Sequence, residues 1–315
     1  FQDKSGFIWI ATRNGLNTYD GYHITVMKKD MSNFLGLKSN YINSIAQDDK
    51  GHILLGTNNS LLEFTGSEFH KIPMLDSKGE ELATYVKQVY PLKNKDVAVA
   101  TSGYGIMIKK KDAQECHAMK GEVEKLKYIH KLLEDKRGRL WIITEDGKLY
   151  RKETNGRVTS HFVGTEGVDA QDIQQDVLGN LYLASKNQGV HLLRAGSNVF
   201  TRISSIGNLP IENIYISRNN KLYIGCDGLG IYVYDPQTGF LQDNPLFSRL
   251  VNLAKSKVTS IIEDNQGNIW VSMLQKGVFM QSNIQNDFNY MGFRLGSRNV
   301  IGENCVTSLS INQGN

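Results

Sequence analysis

Residues 261–270 read Ile-Ile-Glu-Asp-Asn-Gln-Gly-Asn-Ile-Trp, which is an apolar segment, an Asp-x-x-Gly turn and the start of a second apolar segment. Similar segments recur along the whole chain, at 2–9, 47–54, 134–141 and 175–182, with looser copies at 92–98 and 217–223. The residue that ends the turn falls at positions 6, 51, 95, 138, 179, 220 and 267, so successive copies are 41 to 47 residues apart. Self-similarity with this period indicates a repeat architecture.

Two further columns of residues support this register. All three tryptophans occupy one position of the repeat, at Trp9, Trp141 and Trp270. A glycine follows in six of the seven copies, at Gly15, Gly105, Gly147, Gly189, Gly230 and Gly277, whereas the second copy has Ser60. We expect the tryptophans to support packing between repeats and the glycines to permit tight turns.

Each copy is predicted to contain four short strands. Examples are an alternating first strand at 258–262, an apolar second strand at 269–272, a third at 230–234 and an aromatic-rich fourth at 288–293. Repeats of 40 to 45 residues with four strands are typical of propeller blades. The sequence therefore predicts an all-β, seven-bladed β-propeller with four antiparallel strands per blade.

The whole chain, 1–315, is predicted to be one propeller domain. The blades are assigned to 1–41 together with 306–315, 42–85, 86–128, 129–169, 170–210, 211–257 and 258–305. Blade one lacks a first strand, and the chain begins within the repeat at Phe1, which suggests a piece of a longer protein. The segment 306–311 repeats the pattern of 258–263, so we expect it to pair inside blade one and close the ring, leaving no open sheet edge. The alternative is that 306–315 opens a further propeller.

Composition and motifs exclude several classes of protein. A chain that is 40% hydrophobic with a net charge of only +4 is not disordered, and it lacks the concentrated positive charge of nucleic-acid-binding proteins. It contains no apolar run of 18 residues and no signal peptide. The three cysteines, Cys116, Cys226 and Cys305, have neither disulfide-framework nor zinc-ligand spacing. We therefore expect no metal site, no cofactor and no catalytic residues, although carboxylate pairs contributed by different blades stay open as an alternative.

Residues 2–22, Gln-Asp-Lys-Ser-Gly-Phe-Ile-Trp-Ile-Ala-Thr-Arg-Asn-Gly-Leu-Asn-Thr-Tyr-Asp-Gly-Tyr, resemble the two-component regulator propeller repeat. Residues 47–64 and 263–279 are similar but looser, and blades three and six depart from the pattern at the Asp and Gly of the turn. Proteins of this family are sensor regions of hybrid two-component systems in Bacteroides-type bacteria. They have two propellers, a sandwich domain, a membrane helix and a cytoplasmic histidine kinase.

The resemblance implies a periplasmic, non-catalytic sensor module within an inner-membrane histidine kinase. Its ligand would be an oligosaccharide released from a polysaccharide, and its output would control polysaccharide-utilisation genes. Its partners would be the neighbouring propeller and sandwich domains and, in a homodimer, a second copy. This fragment would contact no nucleic acid, and would reach the membrane only through the full-length protein.

Ligand-binding residues are predicted at one mouth of the ring. The turns after the second strands and the connections into the first strands meet there, opposite the Asp-x-x-Gly turns, and loops of several blades converge at such a mouth. The side chains in these loops combine amides and charges, which suit sugar hydroxyls, with aromatic faces, which suit sugar C–H groups. The candidates are Arg13, Asn14, Asn40, Tyr41, Asn58, Asn59, Tyr85, Tyr104, Tyr128, Glu145, Asp146, Lys186, Asn187, Gln188, Asp227, Gln275 and Lys276.

Two other functions are compatible with the same sequence. One is a protein-interaction or dimerisation scaffold without a ligand of its own, which a large apolar patch on an outer blade face would favour. The other is a carbohydrate-active lyase or glycosidase, for which Glu145-Asp146 is the adjacent acidic pair in a predicted mouth loop.

Overall fold

The structure, a computed structural model, describes residues 1–29, 36–243 and 256–283, whose strands form seven separate sheets. These sheets are the blades of a seven-bladed β-propeller, which confirms the predicted fold. The described residues contain only two helical segments, the short 3-10 turns Glu122–Lys125 and Ser204–Ile206. No described helix has the length and apolar character needed to cross a membrane.

The strands follow one another blade by blade. Blade one has β1 (Ile8–Thr12), β2 (Gly15–Tyr19) and β3 (Ile24–Met27). Blade two has β4 (Ile42–Gln47), β5 (Ile53–Thr57), β6 (Leu61–Phe64) and β7 (Phe69–Ile72). Blade three has β8 (Met74–Leu75), β9 (Val86–Pro91), β10 (Val97–Thr101), β11 (Ile106–Lys109) and β12 (Cys116–Ala118).

The remaining blades follow the same order. Blade four has β13 (Ile129–Glu134), β14 (Leu140–Thr144), β15 (Leu149–Lys152) and β16 (Val158–Thr159). Blade five has β17 (Ala170–Gln175), β18 (Leu181–Ser185), β19 (Val190–Leu193) and β20 (Phe200–Arg202). Blade six has β21 (Ile211–Ile216), β22 (Leu222–Cys226), β23 (Ile231–Tyr234) and β24 (Leu241–Asp243). Blade seven has β25 (Val258–Glu263), β26 (Ile269–Met273) and β27 (Gly277–Gln281).

Blade three departs from the predicted four antiparallel strands. Its fifth strand, β8, pairs in parallel with the outermost strand β12, through Met74 with Cys116 and Leu75 with His117. Met74 is buried in the same core cluster as Cys116, so burial of this apolar side chain places the connection from blade two along the outer edge of blade three. Blades one and seven each have three described strands. The predicted fourth strand at 288–293 and the closing segment at 306–311 lie outside the described residues.

The core lies between neighbouring blades. Every residue of the second strands β5, β10, β14 and β18 is buried, because each of these strands has a neighbouring blade on both faces. One core cluster joins Trp141 and Ile143 of blade four to Ile173, Leu183 and Phe200 of blade five. Because the second strands are covered on both faces, their sequences are continuous apolar runs rather than alternating ones.

The Asp-x-x-Gly turn has one backbone geometry in all seven blades, including the two that depart from the motif. The residue that ends the turn has a positive φ whether it is glycine, as in Gly138 (74°), or not, as in Lys95 (71°) and Asn220 (60°). The turn hydrogen bond is also kept, from Lys95 N–H to the Leu92 carbonyl (2.9 Å) and from Asn220 N–H to the Ser217 carbonyl (2.8 Å). The sheets on either side therefore impose the turn even where glycine is absent.

Hydrogen bonds at this end of the ring join successive blades. The backbone N–H groups of Lys4, Lys93, Lys136 and Arg218 each donate to a side-chain oxygen of the following blade, on Gln47, Glu134, Gln175 and Glu263 respectively. Blade seven makes the same kind of contact with blade one, from Asn265 N–H to Gln2 Oε1 (2.6 Å). The rings of Tyr19 and Trp270 lie 5.7 Å apart at the same junction. Blades seven and one are thus in direct contact within the described residues.

Candidate ligand-binding site

A β-bulge occurs at the same place in each of the six described first strands. In β4, β9, β13, β17, β21 and β25 the second residue is skipped in the pairing with the second strand. The skipped residues are Asn43, Lys87, His130, Gln171, Glu212 and Thr259. Bulges redirect a side chain and are common beside functional sites. We call these six residues the bulge ring.

The local sequence accounts for the bulge. Each first strand opens with an apolar, polar, polar, apolar pattern, as in Val86-Lys-Gln-Val89 and Ala170-Gln-Asp-Ile173. In a regular strand, residues three apart point to opposite faces. The structure instead packs Val86 and Val89 into one core cluster, and Ala170 and Ile173 into another. The extra residue returns both apolar side chains to one face.

The bulge ring lines a central cavity of about 630 Å³, together with the residue that follows each bulge. The following residues are Ser44, Gln88, Lys131, Asp172, Asn213 and Ser260. In blade one the described lining residues belong to β1 and are Ile8, Trp9, Ile10 and Ala11. Among the described residues, six blades thus contribute a pair of polar side chains to the lining, whereas blade one contributes mainly apolar ones.

Residues that follow a bulge also join neighbouring blades. Ser44 Oγ accepts a hydrogen bond from Val89 N–H (2.9 Å), and Gln88 Oε1 accepts one from Leu132 N–H (2.6 Å). Asp172 Oδ2 accepts the equivalent bond from Ile214 N–H (3.1 Å). These three side chains therefore have structural roles.

The charged side chains of the cavity wall are paired with partners of opposite sign. Lys131 Nζ lies 3.0 Å from Asp172 Oδ1, Lys257 Nζ lies 2.5 Å from Glu212 Oε1, and Lys87 Nζ lies 3.4 Å from Glu145 Oε1. Lys257 also reaches Asp227, at 3.4 Å. These ion pairs give the channel charged groups of both signs but little net charge.

His130 lies among the lysines of blades three, four and five. Burial lowers its pKa, and the positive charge of Lys131 lowers it further, with smaller contributions from Lys87 and Lys186 and an opposing one from Asp172. The imidazole is therefore neutral at pH 7 and offers one hydrogen-bond donor and one acceptor to the channel.

Aromatic and cationic side chains form a cluster across blades one to three at the mouth. The Arg13 guanidinium lies 5.3 Å from the centre of the Tyr41 ring, and the Tyr41 and Tyr85 rings are 6.1 Å apart. Lys87 Nζ lies 4.8 Å from the centre of the Tyr85 ring, and the Tyr85 hydroxyl donates to Asn43 Oδ1 (2.8 Å). Burial, together with the nearby Tyr41, raises the pKa of Tyr85 to about 12, so this hydroxyl stays protonated at neutral pH. We call these five residues the mouth cluster.

The structure places the sequence-predicted candidates in three groups. Arg13, Tyr41 and Tyr85 belong to the mouth cluster; Glu145 joins it through Lys87 and a hydrogen bond from Ser102, and Asp227 pairs with Lys257. The side chains of a second group bond within or beside their own loops, namely Asn40, Asn58, Asn59, Asp146, Asn187 and Gln188. A third group is exposed at the loops, namely Asn14, Tyr104, Tyr128, Lys186, Gln275 and Lys276.

The candidates predicted from the sequence lie in the loops and do not include the bulge ring. A polar pair recurs in every described first strand, but in the sequence alone this pair resembles ordinary strand alternation. The bulge that turns this column into a channel wall becomes visible only when the pairing of the first and second strands is known.

Comparison with known proteins agrees with the fold and the repeat. Residues 36–59 and 252–275 match the family model described as two component regulator propeller. No curated protein matches the chain.

Several solved structures share the fold. The extracellular domain of BT3049, described as a hybrid two-component system of B. thetaiotaomicron, is 23% identical with a TM-score of 0.75, covering 90% of this chain and 39% of that chain. The corresponding domain of BT4673 from the same organism is 16% identical with a TM-score of 0.72, covering 90% of this chain and 40% of that chain. A catalytically inactive virginiamycin B lyase from Staphylococcus aureus is 14% identical with a TM-score of 0.68. The match covers 90% of this chain and 94% of the lyase. The chain spans about two fifths of the length of the two extracellular domains from B. thetaiotaomicron.

Proposed function

We propose that this chain is a non-catalytic sensor module in the periplasmic part of a hybrid two-component system. It binds an oligosaccharide from polysaccharide breakdown at the mouth of its channel, and signals through neighbouring domains to a cytoplasmic histidine kinase that controls polysaccharide-utilisation genes. The match to the regulator propeller repeat and the shared fold of the BT3049 and BT4673 domains support the sensor context.

The observation that carries the sugar-binding proposal is the continuity of the mouth cluster with the bulge ring. Lys87 and Asn43 belong to both, and Tyr85 contacts each of them, so the aromatic cluster adjoins the polar channel wall. An aromatic face can cover the C–H side of a sugar ring while amide, lysine and imidazole groups bond its hydroxyls. A cavity of about 630 Å³ is within the usual range for a small-molecule site.

The channel carboxylates support binding rather than hydrolysis. A glycosidase needs one carboxyl group that carries a proton and a second that is ionised. Glu145, Asp172 and Glu212 each lie within 3.4 Å of a lysine ammonium group. Both carboxylates that line the described part of the cavity, Asp172 and Glu212, are thus engaged in ion pairs, which leaves the carbohydrate-active alternative no unpaired carboxyl group there.

Titration calorimetry against a panel of oligosaccharides, from neutral and acidic plant and host polysaccharides, tests this proposal. We expect one panel member to bind the chain, and Tyr85→Ala and Arg13→Ala to weaken that binding at least tenfold. Tyr22→Ala is the matched control, because Tyr22 is an exposed tyrosine outside the mouth cluster.

Two results would count against the sensor proposal. One is the absence of binding to any panel member, both by this chain and by a protein that includes its neighbouring domains. The other is the appearance of shortened products when the polysaccharides are incubated with the chain and separated by chromatography, which would favour the enzyme.

An outer strand supports the scaffold alternative as a second candidate function. Tyr22, Ile24 and Val26 of blade one are 88%, 64% and 38% exposed, on or next to strand β3. An exposed apolar edge strand is a pairing surface for another chain. Concentration-dependent mass in sedimentation experiments that Ile24→Lys abolishes would favour dimerisation through β3; a monomer at all concentrations would eliminate it.

A further inference from the structure

Three potential metal ligands meet in blade two, at the end of the ring opposite the mouth. His52 Nδ1 lies 3.2 Å from Glu63 Oε1 and 3.6 Å from Asp48 Oδ2, and the three ligand atoms all lie within 4.8 Å of one another. Asp48 begins the Asp-x-x-Gly turn of this blade, His52 follows the turn, and Glu63 lies on β6.

The equivalent turn aspartates in other blades are satisfied by N–H donors. Asp3 Oδ2 accepts from Trp9 Nε1 (2.8 Å), and Asp176 Oδ2 accepts from Asn180 Nδ2 (2.7 Å). Asp135 and Asp264 each accept from a tryptophan and from a second donor, Arg139 and Asn268 respectively. These donors occupy two fixed positions of the repeat, four and six residues after the aspartate.

Blade two has neither kind of donor. Leu54 stands in the tryptophan position and His52 in the position of Asn180 and Asn268. Asp48 is 4% exposed, yet its Oδ2 accepts no hydrogen bond within the described part of the chain, because both bonds from the turn backbone go to Oδ1. This oxygen lies 3.6 Å from His52 Nδ1 and within 4.8 Å of a Glu63 carboxylate oxygen.

Glu63 places a carboxylate at a position of the repeat where the other blades have none. The residue that faces the tryptophan column across the second and third strands is Thr18, Ile108, Arg151, Leu192, Val233 or Met280 in the other blades, and a carboxylate only in blade two. Glu63 is 8% exposed, and its carboxylate contacts His52 alone among the described polar groups. Two buried carboxylates that share one imidazole are costly unless a cation neutralises them.

We propose that Asp48, His52 and Glu63 bind a zinc ion. Zn²⁺ takes imidazole nitrogen and carboxylate oxygen, and a tetrahedral site with bonds of roughly 2.1 Å separates its ligand atoms by about 3.4 Å. The separations of 3.2 and 3.6 Å from His52 Nδ1 match this geometry. Three protein ligands leave one position for water. The ion ties the turn to the third strand of blade two, as the Trp–Asp hydrogen bond ties the turn to the second strand in blades one, four and seven.

Calorimetry with Zn²⁺, and the visible absorption of the substitute ion Co²⁺, test this site on the tag-free chain. We expect one ion per chain, a Tm that rises with Zn²⁺, and binding weakened by more than about 10-fold in His52→Asn and in Glu63→Gln, since disturbing even an outer-shell partner costs that much. Asparagine is native at this position in blades five and seven and donates to the turn aspartate, so His52→Asn is expected to fold. His161→Asn, at an exposed histidine of blade four, is the matched control and should bind as the parent does.

Two results would overturn the proposal: no ion bound at equimolar Zn²⁺, or equal Zn²⁺ affinity in the parent and both ligand variants. The first would leave His52 as a polar partner of the two carboxylates without an ion. The second would place the ion elsewhere. Because this site and the mouth are at opposite ends of the ring, neither result depends on whether the channel binds a sugar.

Discussion

The indole N–H of Trp141 donates a hydrogen bond of 2.9 Å to Oδ2 of Asp135, the first residue of the turn that precedes it. Trp9 makes the same bond to Asp3, and Trp270 makes it to Asp264. Burial opposes ionisation of Asp135, but the hydrogen bonds from Trp141 and Arg139 outweigh it and hold the pKa of this carboxyl below its usual range. The tryptophan and aspartate columns of the repeat are therefore linked. The indole ring packs between blades, and its N–H group also holds the turn through the aspartate.

Replacing Trp141 by phenylalanine is expected to lower the free energy of unfolding by about 3 kcal/mol, because a hydrogen bond to a charged, buried group is lost and the core is left underpacked. Urea denaturation followed by circular dichroism measures the loss. Tyr223→Phe is the matched control in the same column of blade six, where the turn begins with Ser217 rather than Asp; its effect should stay within about 1 kcal/mol. Equal losses in the two variants would contradict the role of the Trp–Asp bond.

The repeat made the seven blades predictable, because the turn, the tryptophan column and the glycine column recur at a fixed distance. The fifth strand of blade three was not predictable, since Met74–Leu75 joins that sheet through burial and edge pairing, which the repeat does not encode. The same limit applies to the site. Tyr41 and Tyr85 could be placed at the mouth from their position in the repeat, whereas the hydrogen bonds of Asn187 to the neighbouring connection at Gly167 and Asp169 follow from tertiary contacts.

Asn220 offers a stabilising substitution at the turn of blade six. Its φ of 60° suits glycine better than other residues, and its Oδ1 is buried without a hydrogen-bond partner among the described groups. We expect Asn220→Gly to raise the free energy of unfolding by about 1 kcal/mol, whereas Asn220→Val should lower it by at least about 1 kcal/mol, because a β-branched residue is strained at positive φ. Thermal unfolding of the two variants beside the parent measures both effects; a loss in Asn220→Gly would refute this account of the turn.

Stability at high pH should depend on the buried thiols. Burial raises the pKa of Cys116 from 9.0 to about 12, so the folded chain keeps a proton that the unfolded chain releases between these values. The contribution is therefore fully present below pH 9 and is lost as the pH rises towards 12, by up to about 1.4 kcal/mol per pH unit. Urea midpoints between pH 7 and 11 should fall less steeply for Cys116→Ala than for the parent. Parallel pH profiles would show that Cys116 does not contribute to this loss.

The ion pair between Lys131 and Asp172 is expected to stabilise the contacts between neighbouring blades at the channel wall. Asp172 is 2% exposed, and it bonds Lys131 of blade four and the Ile214 N–H of blade six from its own position in blade five. Asp172→Ala leaves both partners unpaired and is expected to cost about 3 to 5 kcal/mol, the usual loss when one partner of a buried pair is removed. Asp172→Asn keeps an acceptor for Ile214 and should cost clearly less, because only the charge is lost.

The exposed pair between Asp112 and Lys50 is the control for this prediction. The two side chains are 76% and 42% exposed, so Asp112→Ala should change the free energy of unfolding by no more than about 0.5 kcal/mol. If Asp172→Ala costs as little as this control, the channel charges do not hold blades four, five and six together. The carboxylate would then be free to take part in ligand binding, and loss of affinity without loss of stability in Asp172→Ala would identify that role.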